Sequence, residues 1–387
     1  MKDKANICEK LFETIDALQD TYLDLLEDIC NIESPTDCKA GVDEVGRYCI
    51  ELAEKKGWRV EICPQSVSGD AVCITLNPGA LGAPVVFSAH MDTVHPVGSF
   101  GAPAVRREGD KMIGPGTLDC KGGIAAALLA MDALERCGCK DRPVLLLLQS
   151  DEEKGSAPSQ KATVRYMCEK SANAAAFLNL EGIRDCTVVV TRKGISRIKL
   201  TFKGKAAHSA ICYNGANAIA EAAHVLLALE GMKDADGITC NCSMIKGGTT
   251  PNTVPDLCEF VADIRFANKA QKEKAYATVA ALAASPVTEG CQCTYEEISY
   301  RPPMEYAERN MALLSRMNDI YRANGLPLLA PRNAKGGSDA AYVTEYGIPC
   351  VDSVGVKGDA EHTLGEHVFM TSVAEAAKRI ASVAYCL

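Results

Sequence analysis

Val144-Leu145-Leu146-Leu147-Leu148-Gln149-Ser150-Asp151-Glu152-Glu153 decides the fold of this chain. Four consecutive leucines behind a valine have no polar face, so Val144 to Ser150 predicts a strand buried on both sides. The run then ends abruptly in three acids. Two other short apolar runs end the same way. Val85-Val86-Phe87-Ser88-Ala89 runs into His90-Met91-Asp92, and the stretch from Ala175, through Phe177-Leu178-Asn179-Leu180, runs into Glu181. Helical spacing lies around these runs. Leu11, Ile15, Leu18, Tyr22, Leu25, Leu26 and Ile29 recur on one face of a helix over Ile7–Ile32. Val42–Lys56 predicts a second helix closed by Gly57, and Gly122–Cys137 a third. Strands alternating with helices predict an α/β domain built on a doubly wound, mostly parallel sheet.

The texture changes in the middle. Arg197–Lys203 alternates, with Ile198, Leu200 and Phe202 on one face. Helices are expected over Asn217–Leu229 and Lys269–Ala284, and strands over Ile238–Ile245, Leu257–Phe266 and Cys291–Tyr300. The order βαββαβ is the ferredoxin-like pattern, suited to an inserted lid or dimerisation domain. After Arg301-Pro302-Pro303 the first texture returns, with a helix over Asn310–Ala323, a strand over Tyr346–Ser353 and an amphipathic helix over Ser372–Cys386. The expected organisation is one discontinuous α/β domain, 1–190 and 301–387, interrupted by the inserted domain at 191–300.

Composition bounds the function. The length of 387 residues fits two or three domains at about 150 residues each. Forty-one basic and 50 acidic residues give a net charge of −9, which argues against a nucleic-acid partner. An apolar share of 47% and a charged share of 24% exclude disordered, collagen-like and coiled-coil readings. No apolar run approaches about 18 residues, so neither a membrane-spanning helix nor a membrane partner is expected. Met1 to Lys10 is charged and carries no apolar core of a signal peptide. The 19 cysteines are too dilute for a disulfide scaffold and odd in number, which fits reduced thiols and a cytoplasmic location. Cys137/Cys139, Cys240/Cys242 and Cys291/Cys293 are Cys-x-Cys pairs without zinc-finger spacing.

In an open α/β sheet, ligands bind beyond the carboxyl ends of the strands. There the chain places His90, Asp92, Glu152, Glu153 and Glu181. Asp119 lies in the glycine-rich loop Gly114–Gly123 that feeds a helix, and His362 lies in Glu361-His362-Thr363-Leu364-Gly365-Glu366. Imidazole with carboxylate is the ligand set of zinc, cobalt or manganese. His90 and Asp92 share one face of a strand, so Asp92 can hold the second N–H of the His90 ring. Each residue alone could be an isolated polar loop residue. Recurring in order at successive strand ends, they point to a metal centre.

These motifs, with Ala207-His208-Ser209 and Gly248-Thr249-Thr250-Pro251-Asn252-Thr253-Val254-Pro255, resemble the M20 metallopeptidases over nearly the whole chain. That family includes bacterial glutamate carboxypeptidase, acetylornithine deacetylase and succinyl-diaminopimelate desuccinylase. Ser88–Val94 with Asp119–Gly123 looks most like the glutamate carboxypeptidase branch. The resemblance implies two divalent ions, zinc first with cobalt or manganese as alternatives. Asp119 would bridge both; His90 and Glu181 would bind one, and Glu153 and His362 the other. Glu152 would be the general base for a bridging water, Asp92 would orient His90, and a cis peptide would follow Asp119. Cys120 stands where many relatives carry a second acid, and a packing role is expected for it.

In the lid, the resemblance implies that His208 stabilises the tetrahedral oxyanion, often in the partner subunit's site. Asn252 and Arg265 would bind the substrate's free carboxylate, which a guanidinium fork suits; the other reading of Arg265 is a salt bridge to Asp263. Gly336 and Gly337, in Gly336-Gly337-Ser338-Asp339, would line the pocket. The implied function is a di-metal hydrolase cutting an amide bond next to a free carboxylate. A carboxypeptidase-type exopeptidase acting on small peptides is one version; a deacylase of N-acyl amino acids is the alternative. A homodimer through the lid is expected. A non-catalytic relative would have lost Glu152 or a ligand, and all are present. His224 is expected to pack on its helix face, while His95 and His367 match no motif.

Overall fold

The computed structural model describes residues 2–234 and 237–387, with side chains from Cys8 onward; Met1, where the N-terminal reading begins, lies outside them. The chain divides into two compact units. One comprises Met1–Val190, Tyr306–Asn333 and Tyr342–Leu387, the other Thr191–Glu305 and Ala334–Ala341.

The first unit is built on a six-stranded sheet. Its strands follow the order Arg59–Cys63, Ala71–Leu76, Val144–Gln149, Val85–His90, Ala176–Asn179, Cys350–Val351. The last four run parallel, and the first two add an antiparallel edge. Phe87 stands opposite Leu146 on one side and Leu178 on the other. Alternate residues then serve the two faces. Phe87, Leu146 and Leu178 join the main core with helices Lys2–Asn31, Lys121–Arg136 and Thr371–Cys386. Ser88, one residue on, sets its hydroxyl 3.5 Å from the Met167 sulfur of helix Ala162–Lys170 on the other face. The leucine run is therefore buried from both sides, as its lack of a polar face requires. Leu146→Ala in this core would cost about 2–5 kcal/mol. Among the described residues, no helix is long and apolar enough to cross a membrane.

One strand reading needs correction. The strand expected over Tyr346–Ser353 shrinks to Cys350–Val351, because Tyr346 and Gly347 close a helical turn, with Gly347 at φ 84°. The sheet contact is short because Val354 N–H already turns to the Asn179 carbonyl at 3.1 Å. A small antiparallel sheet was not anticipated. It orders Gly358–Asp359, His367–Phe369, Lys111–Ile113 and Arg106–Glu108, strands too short to display a period.

The second unit is a four-stranded antiparallel sheet, ordered Thr239–Gly247, Leu257–Phe266, Gly194–Lys203, Gln292–Arg301. With helices Ala218–Glu230 and Lys269–Ala284 it completes the βαββαβ order. Ile198, Leu200, Phe202, Phe260, Ala262 and Ile264 pack beneath the helices. The intervening residues form a polar face, where Lys199 pairs with Glu259 at 2.9 Å. Asn217 caps its helix by accepting the Ile219 and Ala220 N–H groups at 2.9 and 3.0 Å. His224 is exposed rather than packed, because Ala218, Ala222, Val225 and Leu229 take the inner face.

Candidate metal centre

His90 ends the central strand. Its Nδ1 lies 2.9 Å from the Asp92 main-chain oxygen and 3.5 Å from Asp92 Oδ1. Donation from Nδ1 leaves Nε2 facing Asp119 Oδ1 at 2.8 Å. Two acceptors at that distance need a proton or a cation between them. The Asp92 carboxylate is fully buried and holds more than the imidazole. Its oxygens accept the N–H of Glu152 and of Glu153, at 3.2 Å each, and the Thr36 hydroxyl at 2.7 Å. Asp92 thus fixes the single 3₁₀ turn, Glu152–Lys154, on which both acids stand.

Asp119 sits at the mouth of helix Lys121–Arg136, and a cis Asp119–Cys120 peptide follows it. The two glycines at the start of that helix are there for close approach. A Cβ on Gly122 would lie 2.4 Å from the Thr117 carbonyl, and one on Gly123 2.6 Å from that of Leu180. The second oxygen of Asp119 lies 3.1 Å from His362 Nε2, and that nitrogen lies 3.4 Å from Glu153 Oε2. His362 holds φ 63°, in the left-handed region. Glu181 Oε1 lies 3.9 Å from His90 Nε2, and the Glu181 carbonyl accepts the Gly355 N–H at 3.0 Å. The ligand atoms of His90, Asp119, Cys120 and Glu181 lie within 4.8 Å of one another, as do those of Asp119, Glu153 and His362. Cys120 is buried and donates from Sγ to the Leu180 carbonyl at 3.1 Å, a contact that supports the packing role.

The electrostatics are those of a site for cations. Burial alone would raise Asp119, but hydrogen bonds from His362 and His90 outweigh it and hold the carboxyl well below its usual range. Burial pushes Glu153 up to about 7 against the pull of His362, and burial with Asp119 raises Glu181 far above a normal carboxylate. His362, hydrogen-bonded to Asp119 and Glu153, is raised to about 10. Glu152 is buried, and its charge adds to the upward push on Glu153 and Glu181. Three carboxylates, Asp119, Glu153 and Glu181, converging with two imidazoles fit divalent ions by donor chemistry and by charge.

Two residues escaped the sequence reading. Glu366 is buried and accepts the N–H groups of Leu118 and Asp119, and its other oxygen meets His95 Nε2. Glu366 lay inside the quoted His362 motif, but nothing in its spacing told what it would touch.

In the second unit, His208 and Asn252 are neighbours: His208 bridges Thr253, and the Ser209 N–H donates to the Asn252 carbonyl at 2.9 Å. His208 Nδ1 accepts the Ala210 N–H at 3.1 Å. Arg265 Nε pairs with Asp263 at 3.0 Å, so the salt bridge weighed from the sequence is present, and its Nη1 donates to the Lys335 carbonyl beside Gly336 at 3.0 Å. Arg192 Nη1 lies 3.3 Å from the carbonyls of both Gly336 and Gly337. A Cβ on Gly337 would meet the Arg301 side chain at 2.7 Å.

Residues 86–385 match the model of Peptidase family M20/M25/M40. The chain belongs to that family. It is a carboxypeptidase-like, metal-dependent hydrolase acting on C–N bonds. Among M20 relatives, carboxypeptidase G2 of Pseudomonas sp. (strain RS-16) is 28% identical over 361 residues, covering 91% of this chain and 86% of its own. Aminopeptidase PepT of Bacillus cereus superposes with a TM-score of 0.77 at 20% identity, over 95% of this chain and 98% of that one. The Bacillus subtilis YXEP protein, a dinuclear metal-binding peptidase of the M20 family, superposes with a TM-score of 0.69 at 17% identity, over 96% and 98%. These superpositions show the shared fold.

Proposed function

We propose that this M20 enzyme is a carboxypeptidase-type exopeptidase, releasing a C-terminal residue from a small peptide at a two-metal site. His90, Asp119 and Glu181 would hold one ion and Asp119, Glu153 and His362 the other, zinc first, with cobalt or manganese as alternatives. The observation that carries this reading is Asp119, whose two oxygens lie 2.8 and 3.1 Å from two imidazole nitrogens, with Glu181 and Glu153 at the flanks. Two divalent ions there would lower the pKa of an attacking water and polarise the scissile carbonyl.

The chain's own side chains supply the rest. Glu152 takes the proton from the water and returns it to the leaving nitrogen. Asp92 keeps Glu152, Glu153 and His90 in place through the contacts at its carboxylate and carbonyl. His208 accepts at Nδ1, so its neutral ring carries the proton on Nε2, the donor an oxyanion requires. Asn252 and Arg265 bind the substrate's free carboxylate, with Gly336 and Gly337 lining the pocket; the Arg265 contact beside Gly336 supports grouping them.

A homodimer through the lid domain, 191–300, is part of this reading. Thr239–Gly247 is an edge strand, with Met244 69% and Ile245 55% exposed, and Leu227 on the adjacent helix is 69% exposed. Unpaired edge amides beside apolar side chains invite a second strand. A cytoplasmic location is also part of this reading, supported by the thiol-rich composition.

The test is a substrate panel with metal-loaded enzyme: dipeptides with free and amidated C-termini, pteroyl-glutamate-type compounds and N-acyl amino acids. Cleavage that needs the free carboxylate and releases the C-terminal residue is expected. Exclusive turnover of N-acyl amino acids would make the enzyme a deacylase with the same machinery. Activity that survives chelation would sink the metal reading.

A further inference from the structure

Glu366 is 1% exposed and stands four residues after His362. Its main chain and side chain grip both ends of the loop that carries Asp119. The carbonyl accepts the Gly114 N–H at 3.1 Å, at the start of the loop. Oε1 accepts the Leu118 and Asp119 N–H groups at 3.0 Å each, at its end. Oε2 meets His95 Nε2 at 2.7 Å. His95 is buried, and its ring meets Phe100 edge-on with centroids 4.9 Å apart. The small antiparallel sheet makes this reach possible, because it pairs His367 with Ile113 and so brings Glu366 beside Gly114. One carboxylate therefore belongs to the segment of His362, holds the loop of Asp119 and is braced by the segment that follows His90.

Resting on the two-metal reading above, we infer that Glu366, braced by His95, is a positioning residue that fixes the Asp119 carboxylate between its two imidazoles. A bridging carboxylate works only if both oxygens keep their directions. Those directions follow from the peptide planes on either side of its Cα. Glu366 pins one of these planes by accepting the Asp119 N–H, and pins the preceding plane through the Leu118 N–H. An ionised acceptor makes such bonds about twice as strong as neutral ones. Burial removes the water that could replace it.

A merely structural Glu366 would hold the small sheet and change nothing else. The experiment separates the two roles with Glu366→Ala, Glu366→Gln, His95→Ala and a control, Asp132→Asn, at a buried acid that contacts Tyr22, Lys56 and Arg136. Bound zinc is measured by elemental analysis after dialysis against graded chelator, alongside kcat, KM and Tm. Wild type is expected to retain two ions. Glu366→Ala should lose metal at chelator concentrations about 10–100-fold lower, with kcat down by a similar factor and KM within about threefold. Glu366→Gln should recover part of both, since its amide oxygen can still accept a main-chain N–H, and His95→Ala should fall between. Asp132→Asn should lower Tm and leave metal retention and kcat alone. A Glu366→Ala protein that loses Tm but holds both ions as wild type does overturns the inference. If that variant does not fold, unchanged metal retention in both Glu366→Gln and His95→Ala overturns it. A wild type without two tightly held ions overturns the two-metal reading itself, and this inference with it.

Discussion

The carboxylate of Asp92 accepts the main-chain N–H of Glu152 at 3.2 Å, with the Glu153 N–H on its other oxygen at the same distance. The His90 ring leans first on the Asp92 carbonyl, 2.9 Å from Nδ1, and less on its carboxylate at 3.5 Å. The acid that the sequence suggests as a partner for His90 is therefore also the anchor of the turn bearing Glu152 and Glu153. Asp92→Ala should lower kcat about 10–100-fold, more than it raises KM. Asp92→Asn should lose less, because one oxygen still accepts. Steady-state kinetics of the two variants decide it; wild-type kcat in Asp92→Ala would remove the anchoring role.

Glu152 and Glu153 are adjacent but differently placed. Glu153 lies 3.4 Å from His362 Nε2 and belongs to a ligand cluster, whereas Glu152 does not. Glu152→Gln should therefore keep two ions per chain yet lose about 10²–10⁴ in kcat, the usual worth of a general base. Elemental analysis beside kinetics checks both halves. Loss of metal in Glu152→Gln would make it a ligand, and retained turnover would make it neither.

The legible parts of this molecule are those whose cause is local. Val144–Gln149 announces itself because a strand covered on both faces tolerates no polar residue, and His90 and Glu181 are conspicuous as polar ends to apolar runs. The resemblance then supplies the roles that spacing cannot. Glu366 and His95 were not legible, because their hydrogen bond joins segments 271 residues apart and neither lies on a periodic face. Arg59–Cys63 hides for the opposite reason: as an edge strand with Arg59 and Ile62 exposed and the rest half-buried, it has a pattern no different from a loop. Tyr346–Ser353 is apolar enough for a strand, yet the chain needs only Cys350 and Val351 beside Phe177 and Leu178 before turning to deliver Gly355 to Glu181.

His208 Nδ1 is committed to the Ala210 N–H, which leaves Nε2 as the donor. If that donor serves the oxyanion, His208→Ala should lower kcat by about 10²–10³ while KM moves little, as for removal of a single oxyanion donor. A pure rise in KM would reassign His208 to substrate binding.

Asp132 gives the first unit an acid-sensitive point away from the metal centre. It is buried, with Lys56 Nζ at 2.7 Å, Arg136 Nε at 2.8 Å and the Tyr22 hydroxyl at 2.9 Å. Burial pushes its carboxyl up, but these three partners outweigh it and bring it below the ordinary value of 3.8. The unfolded chain therefore takes up this proton at a higher pH than the folded one. The stabilisation is fully present above pH 3.8 and is lost as the pH falls from there through the lower folded value. Asp132→Asn should cost about 1–3 kcal/mol near neutral pH, where a buried charged hydrogen-bond partner is removed. It should then lose less further stability than wild type on acidification below 3.8. Denaturant unfolding of both proteins at neutral pH and in that acid range measures the gap between them. A gap that narrows with acid supports the account, and parallel curves refute it.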